Sequence, residues 1–198
     1  MFGISAFGVT ATLAEKITEV HVSLDAASVP HAFGGALALA FHVEEPRATR
    51  DIDVNVFVDP GRATEVFGAL PDGVVWGAGD LARVDLDGQV RLLWDNTPID
   101  LFFSTHMFHD LAWLQLERVP FAGATIPILG ATELVVFKAF YDRTRDWADI
   151  EAMLEAHTPD VHAALGWLVD LLGPEDARVT RLRDLLHQTP RPEPRFDA

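Results

Sequence analysis

Cysteine is absent from the 198 residues, which excludes disulfides and thiolate metal sites. Long apolar runs are absent too, and nothing approaches the ~20 residues of a membrane-spanning helix. The opening stretch MFGISAFGVTATLAEK has no basic start and soon reaches Glu15 and Lys16, so it does not read as a signal peptide. The cytoplasm is therefore the default expectation. Lysine is scarce: Lys16 and Lys138 stand beside thirteen arginines, and 30 acidic residues bring the formal net charge to −15. A general nucleic-acid binder draws most of its affinity from neutralising phosphates, so this balance excludes a broad basic surface and leaves room only for a local one. The remaining composition, 49% hydrophobic and 23% charged, is that of a folded domain. The length suits one such domain, or a core with a helical extension.

Apolar residues at Leu13, Ile17, Val20 and Leu24 follow helical spacing, predicting a helix over residues 10–24. HAFGGALALAFHV (31–43) predicts a short strand, a turn at Gly34–Gly35 and an apolar helix. DIDVNVFV (51–58) reads as a strand stopped by Asp59-Pro60-Gly61, with a helix over 62–70. ARVDLDGQVRLLWD (82–95) alternates around Asp87-Gly88 and predicts a hairpin. PIDLFF (98–103) is a further strand, 106–117 a helix, and RVPFAGATIPIL (118–129) two short strands. Thr132 is a candidate N-cap for a helix through Arg143. Helices over about 146–156, 160–172 and 175–188 follow, then a proline-rich stretch that reads as extended or disordered. Strands dominate to about residue 129 and helices thereafter.

Three chemistry-bearing features stand out. Gly34–Gly35 lies between a strand and a helix, where glycine serves either a simple turn or close approach of a phosphate to the backbone. Asp51 and Asp53, two apart on a strand, point to one face and repel each other unless a cation lies between them. Their other reading is a turn feature at the strand start. Asp100 sits inside the apolar strand 98–103, facing solvent from an edge strand or, if that strand pairs beside 51–58, completing a three-carboxylate cup.

Phe33-Gly34-Gly35, Asp51-Ile52-Asp53 and the later Asp100 together resemble the nucleotidyltransferase superfamily. More narrowly, GGALALAFHVEEPRATRDIDVNVFV and ELVVFKAFYDRTRDWADIEAML are similar to the AbiEii-type branch, which includes toxins of toxin–antitoxin pairs. The resemblance spans about residues 30–156; the 15 residues between Gly35 and Asp51 exceed the compact spacer of many members. It implies an α/β (α+β) protein with a mixed β-sheet core flanked by helices: a catalytic core over 1–129, a helical region over 130–188 and a flexible tail over 189–198. It further implies transfer of NMP from an NTP to a hydroxyl, with two Mg²⁺ ions held by Asp51, Asp53 and Asp100, hard oxygen donors of the kind magnesium prefers. Gly34 and Gly35 would hold phosphates and Lys138 would meet a triphosphate oxygen. Asp146 and Asp149, three apart on one helical face, either orient Lys138 or Arg143 or are simply solvated. Arg47 and Arg50 flank the carboxylates, and Thr49 reads as a turn residue or a regulatory hydroxyl.

The implied acceptor is an RNA such as the tRNA 3′ end, with a cognate antitoxin as protein partner. Arg178, Arg181 and Arg183, with Arg143 and Arg145, would offer the local basic strip that RNA requires. The alternatives are an adenylyltransferase acting on a cationic aminoglycoside, which an acidic cleft would suit, and a catalytically silent binding protein of the same fold. His106, His109 and Asp110 have spacing that zinc could use, but no further ligand is evident and the histidines read as surface or core residues. Trp76 is the tryptophan expected to be most exposed.

Overall fold

A computed structural model describes residues 11–188. The predicted tail at 189–198 and the first residue of the predicted N-terminal helix lie outside the described residues. Helix α1 (Leu13–Ala26) starts with a capping box in which Thr12 and Glu15 satisfy each other's backbone donors. Its buried stripe is Ile17, Val20 and Leu24. Strand β1 (His31–Phe33) leads into the short helix α2 (Gly35–Leu39). Strand β2 (Ile52–Val56) follows, then a 3₁₀ turn (Pro60–Arg62) and α3 (Ala63–Gly68).

Residues 82–95 correct the predicted hairpin. They hold the end of a helix, α4 (Ala78–Asp87), and the strand β4 (Gln89–Trp94), with a two-residue strand, β3 (Val74–Val75), ahead of them. Gly88 takes a left-handed conformation (φ 66°) and ends α4 as its C-cap, a role open to glycine at little steric cost. Only Val84 of α4 is buried, and Leu86 is 82% exposed, so the apparent alternation never faced a core. Strand β5 (Thr97–Phe103) then pairs antiparallel with β4.

Helix α5 (Met107–Leu114) and the hairpin of β6 (Glu117–Phe121) and β7 (Ala124–Ile128) close the sheet-forming part. The sheet is mixed, in the order β3-β4-β5-β2-β1-β7-β6. Its two parallel pairs are β2 with β5 and β1 with β7. Period-2 alternation sends Ile52, Val54, Val56, Ile99, Leu101 and Phe103 into the core, leaving Asp53 and Asp100 on the opposite face.

Helices α6 (Ala131–Tyr141), α7 (Thr144–Glu155), α8 (Val161–Leu172) and α9 (Ala177–Gln188) follow. α6 is buried almost all round and packs against α2, α7, α8 and α9. Its apolar residues join those of the sheet in one continuous core. Thr132 is not the cap: Gly130 precedes the helix, and the Thr132 hydroxyl instead accepts the backbone N–H of Asp160 at the start of α8. Asp142, left-handed at φ 55°, stops α6. Trp76 is 39% exposed but packs on Phe67, and Trp113 is equally open at 41%. No helix among the described residues is long and apolar enough to cross a membrane.

Candidate active site

Parallel pairing of β2 with β5 sets Asp53 and Asp100 directly opposite each other. Same-face cross-strand partners lie about 5 Å apart at Cβ, so the two carboxylates are neighbours. Asp51, one turn of the pleat earlier, lies in the same field. Burial, Asp51 and Asp100, in that order, push the Asp53 carboxyl up to about 6. Asp51 moves the other way. Burial raises it, but the Thr49 hydroxyl, its own backbone and the positive charges of Arg91 and Arg145 outweigh burial and leave it below the ordinary value. The Thr49 hydroxyl makes a short hydrogen bond to the Asp51 carboxylate, which makes it a turn residue that also orients a site carboxylate.

Asp100 is held by a residue the sequence did not single out. Arg91 is its cross-strand neighbour on β4. Its Nε and Nη2 donate to the two oxygens of Asp100 at 2.7 and 2.6 Å, a bidentate fork. The alternation of β4 puts Arg91 outward between buried Val90 and Leu92, but its place beside Asp100 needs the β4–β5 pairing.

The opposite wall is a cation–carboxylate lattice on α6 and α7. Lys138 is buried and donates to Asp149 at 2.6 Å, with Asp146 at 3.7 Å. Asp149 also accepts two hydrogen bonds at 2.9 Å from Arg47, which reaches back from the loop before β2. Burial opposes ionisation of Asp149, yet Arg47 and Lys138 win and hold it below the ordinary carboxylate range. Arg143 donates to Asp146 at 2.7 Å and lies over the ring of Tyr141. Asp146 and Asp149 thus orient Lys138, Arg143 and Arg47 together. Arg47 and Lys138 also feel the β2 carboxylates, since Asp53 is stabilised by the Lys138 charge and Arg47 by Asp51 and Asp53.

Glycine at position 35 is required by the aspartate beside it. Gly35 has φ +54°, and a Cβ there would collide with the Asp53 carboxylate. At Gly34 a Cβ would come within 2.7 Å of the Asn55 amide, and its N–H donates to the Asp53 carbonyl at 2.9 Å. The pair therefore lets the α2 backbone lie flat against the carboxylates.

Other residues singled out in the sequence make contacts outside the carboxylate cluster, or none. Arg50 is exposed and makes no hydrogen bond or ion pair among the described residues. Arg178 is spent on Asp176 and the Phe140 carbonyl, and Arg181 stacks over Trp147 at 4.3 Å, so α9 offers a weaker basic strip than its sequence suggests. His106 caps α5 by accepting from the Phe108 N–H, and His109 packs against Phe137. The other lysine, Lys16, is buried against the Trp94 carbonyl, Asp95 and Thr97, tying α1 to the β4–β5 turn.

No group of three or more His, Cys, Asp or Glu among the described residues is arranged to hold a metal ion as it stands. At the aspartates, Arg91 takes both oxygens of Asp100 and Thr49 takes one of Asp51. The donor chemistry nevertheless fits a hard divalent cation: the donors are carboxylates, and burial together with the neighbouring Asp51 and Asp100 makes the Asp53 charge one that a cation would relieve.

No family model matches the chain, and no curated protein matches it. Solved structures do. An antigenic nucleotidyltransferase-like protein from Paracoccidioides brasiliensis aligns with a TM-score of 0.50 at 19% identity, covering 85% of this chain and 94% of that one. ANT(2″)-Ia, in complex with adenylyl-2″-tobramycin, aligns with a TM-score of 0.51 at 15% identity, covering 90% and 98%.

The fold is nucleotidyltransferase-like.

Within this nucleotidyltransferase-like fold the strand register gathers acids from β2 and β5, the glycine pair lies beneath them, and α6–α7 supply positive charge. Negative charge on one side and fixed cations on the other give a cleft suited to a polyanion that arrives with its own counter-ion.

Proposed function

We propose that the chain is a Mg²⁺-dependent nucleotidyltransferase, moving NMP from an NTP to an acceptor hydroxyl. The observation that carries this is the direct pairing of Asp53 with Asp100 across parallel strands, opposite the Lys138–Asp149–Arg47 lattice. Asp51 and Asp53 would hold the metal ions, with Asp100 joining them. Bound there, the metal supplies charge neutralisation and activation of the attacking oxygen. Gly34 and Gly35 leave the backbone open to the β- and γ-phosphates. Lys138 and Arg143 face the triphosphate from α6 and the start of α7, held in place by Asp146 and Asp149. In the reaction a bond forms between the acceptor oxygen and Pα while the bond from Pα to the β-phosphate oxygen breaks. Pyrophosphate leaves with that electron pair, and Asp100 accepts the acceptor's proton.

The acceptor we favour is RNA, in keeping with the resemblance to the AbiEii-type branch and its toxins, which also implies a cognate antitoxin. The aminoglycoside reading has a fold relative on its side, since ANT(2″)-Ia was captured with adenylyl-2″-tobramycin. Against it, the cleft beside Asp100 carries Arg83, Arg91 and Arg143, which repel a polycation. Incubation with each α-labelled NTP, Mg²⁺ and either total RNA or tobramycin tests these readings. Label on RNA, lost in Asp53→Asn and Asp100→Asn, is the expected result. Label on tobramycin alone would replace RNA with the small molecule, and no label with any acceptor would leave a catalytically silent binding protein.

A further inference from the structure

A cavity of about 360 Å³ opens beside Asp100, on the side away from Gly34 and Gly35. Its walls come from α4, β4 and β5, with Tyr141 and Arg143 closing the far side. Three of its side chains, Arg83, Arg91 and Arg143, are cations, in a chain whose net charge is −15. Asp87 and Asp100 are the acids facing them. Arg143 is engaged by Asp146 and Arg91 by Asp100, whereas Arg83 is exposed and makes no ion pair or hydrogen bond among the described residues. Its guanidinium is therefore open to a ligand in the cavity. Phe102 and Tyr141, with ring centroids 5.6 Å apart, add an aromatic wall. Phe102 and Tyr141 also line a second cavity, of about 240 Å³.

Resting on the nucleotidyl-transfer reading, we propose that this cavity receives the acceptor and that the acceptor carries a phosphate close to its reacting hydroxyl. The triphosphate is accounted for on the Gly34–Lys138 side, which takes Arg143 as well, so Arg83 and Arg91, beyond Asp100, face the other substrate. Arg83 holds the phosphate permanently. Arg91 would join it if a metal ion took its place at Asp100; its side chain, 59% exposed against 14% for Asp100, has a solvent-facing side on which to do so. Arg91 is thus a positioning residue that makes acceptor capture follow loading of the metal-bound nucleotide. The aromatic wall takes a ring carried by the acceptor. Such a phosphate comes from a free nucleotide or from the end of an RNA chain.

The test is equilibrium binding to the full chain, with no turnover required. The probes are a fluorescent single-stranded oligoribonucleotide with a free 3′-hydroxyl and, as competitor, a free nucleoside 5′-monophosphate. Both are measured with a non-hydrolysable NTP and Mg²⁺ present. Arg83→Glu is expected to weaken probe binding at least tenfold, while Arg62→Glu, the same charge change on another exposed arginine, leaves it within twofold. Loss confined to the oligonucleotide identifies an RNA end, and loss for both probes a nucleotide, and either supports the proposal. Arg91→Gln is expected to tighten Mn²⁺ binding, read by electron paramagnetic resonance, while weakening the phosphate probe. Equal probe binding by Arg83→Glu and the parent chain overturns the acceptor site. So does an equal loss of Mg²⁺–NTP affinity in Arg83→Glu, since the cavity would then hold the NTP. Absence of NTP binding in the parent chain defeats the transfer reading itself, a result separable from an NTP-competent protein indifferent to residue 83.

Discussion

The Lys138 ammonium and the Asp149 carboxylate meet at 2.6 Å on successive helices, both sealed from solvent, with Arg47 completing the carboxylate's shell. Removing the acid leaves the buried ammonium only the more distant Asp146, at 3.7 Å, so the loss falls at the low end of the ~3–5 kcal/mol that breaking a buried pair costs. Asp149→Ala is therefore expected to lower stability by about 3 kcal/mol at neutral pH, read by urea unfolding. Because Asp149 is held below its ordinary value, its contribution is present above the unfolded carboxylate range and disappears as pH falls through the folded value. The gap between parent and variant should narrow in acid. A gap that stays constant down to pH 3 would contradict the pairing.

Asp53 predicts the opposite pH behaviour. Its carboxyl titrates at about 6 in the folded chain, against 3.8 ordinarily. Below both values it is neutral folded and unfolded and contributes nothing. Above 6 the folded state carries a charge it disfavours, a cost of about 3 kcal/mol for a difference of this size. Without added metal, Asp53→Asn should stabilise the protein by up to that amount at pH 7, with the gain fading toward pH 4. Denaturation curves at the two pH values decide it.

Gly35→Ala is expected to fail twice over. A side chain at φ +54° costs about 1–2 kcal/mol, and this one also drives into the Asp53 carboxylate. Stability should drop by about 2 kcal/mol or more, and Mg²⁺–NTP affinity, measured by calorimetry, should fall further than the stability loss explains. Affinity equal to the parent's would detach the glycine from the site.

Gly88→Ala separates fold from chemistry. The residue is left-handed, and a Cβ would press on the Thr105 methyl. We expect a loss of about 1–2 kcal/mol in unfolding free energy. NTP binding should be untouched, and a parallel loss of affinity would place the α4–β4 corner inside the nucleotide site.

Much of the site was legible because it obeys short-range rules. Asp51, just before β2, and Asp53 within it are two apart in extended chain, and Asp146 and Asp149 share a helical face, so their mutual placement follows from spacing. The pairing of Asp100 with Asp53 needed a strand order, which no local pattern encodes. Arg91 depends on strand order in the same way, because its partner Asp100 lies across the β4–β5 pairing, whereas the stretch ahead of β4 was misread for a local reason. Asp87-Gly88 serves equally well as a hairpin turn or a left-handed helix cap, and the six residues before it fit both periods. Only the burial of Val84, set by tertiary packing, separates the two. Arg178 and Arg181 show the reverse error: charges counted as free in the sequence are consumed by Asp176, a carbonyl and an indole once the helices dock.

The in-register match of residues 53 and 100 gives the molecule an uneven tolerance to length change. A single-residue insertion inside either central β segment would turn its acid toward the oily interior and its aliphatic neighbours toward water. The segments at 40–50 and 57–59 lie outside both strands, and it is there that length variants of this chain should survive with their acids still side by side.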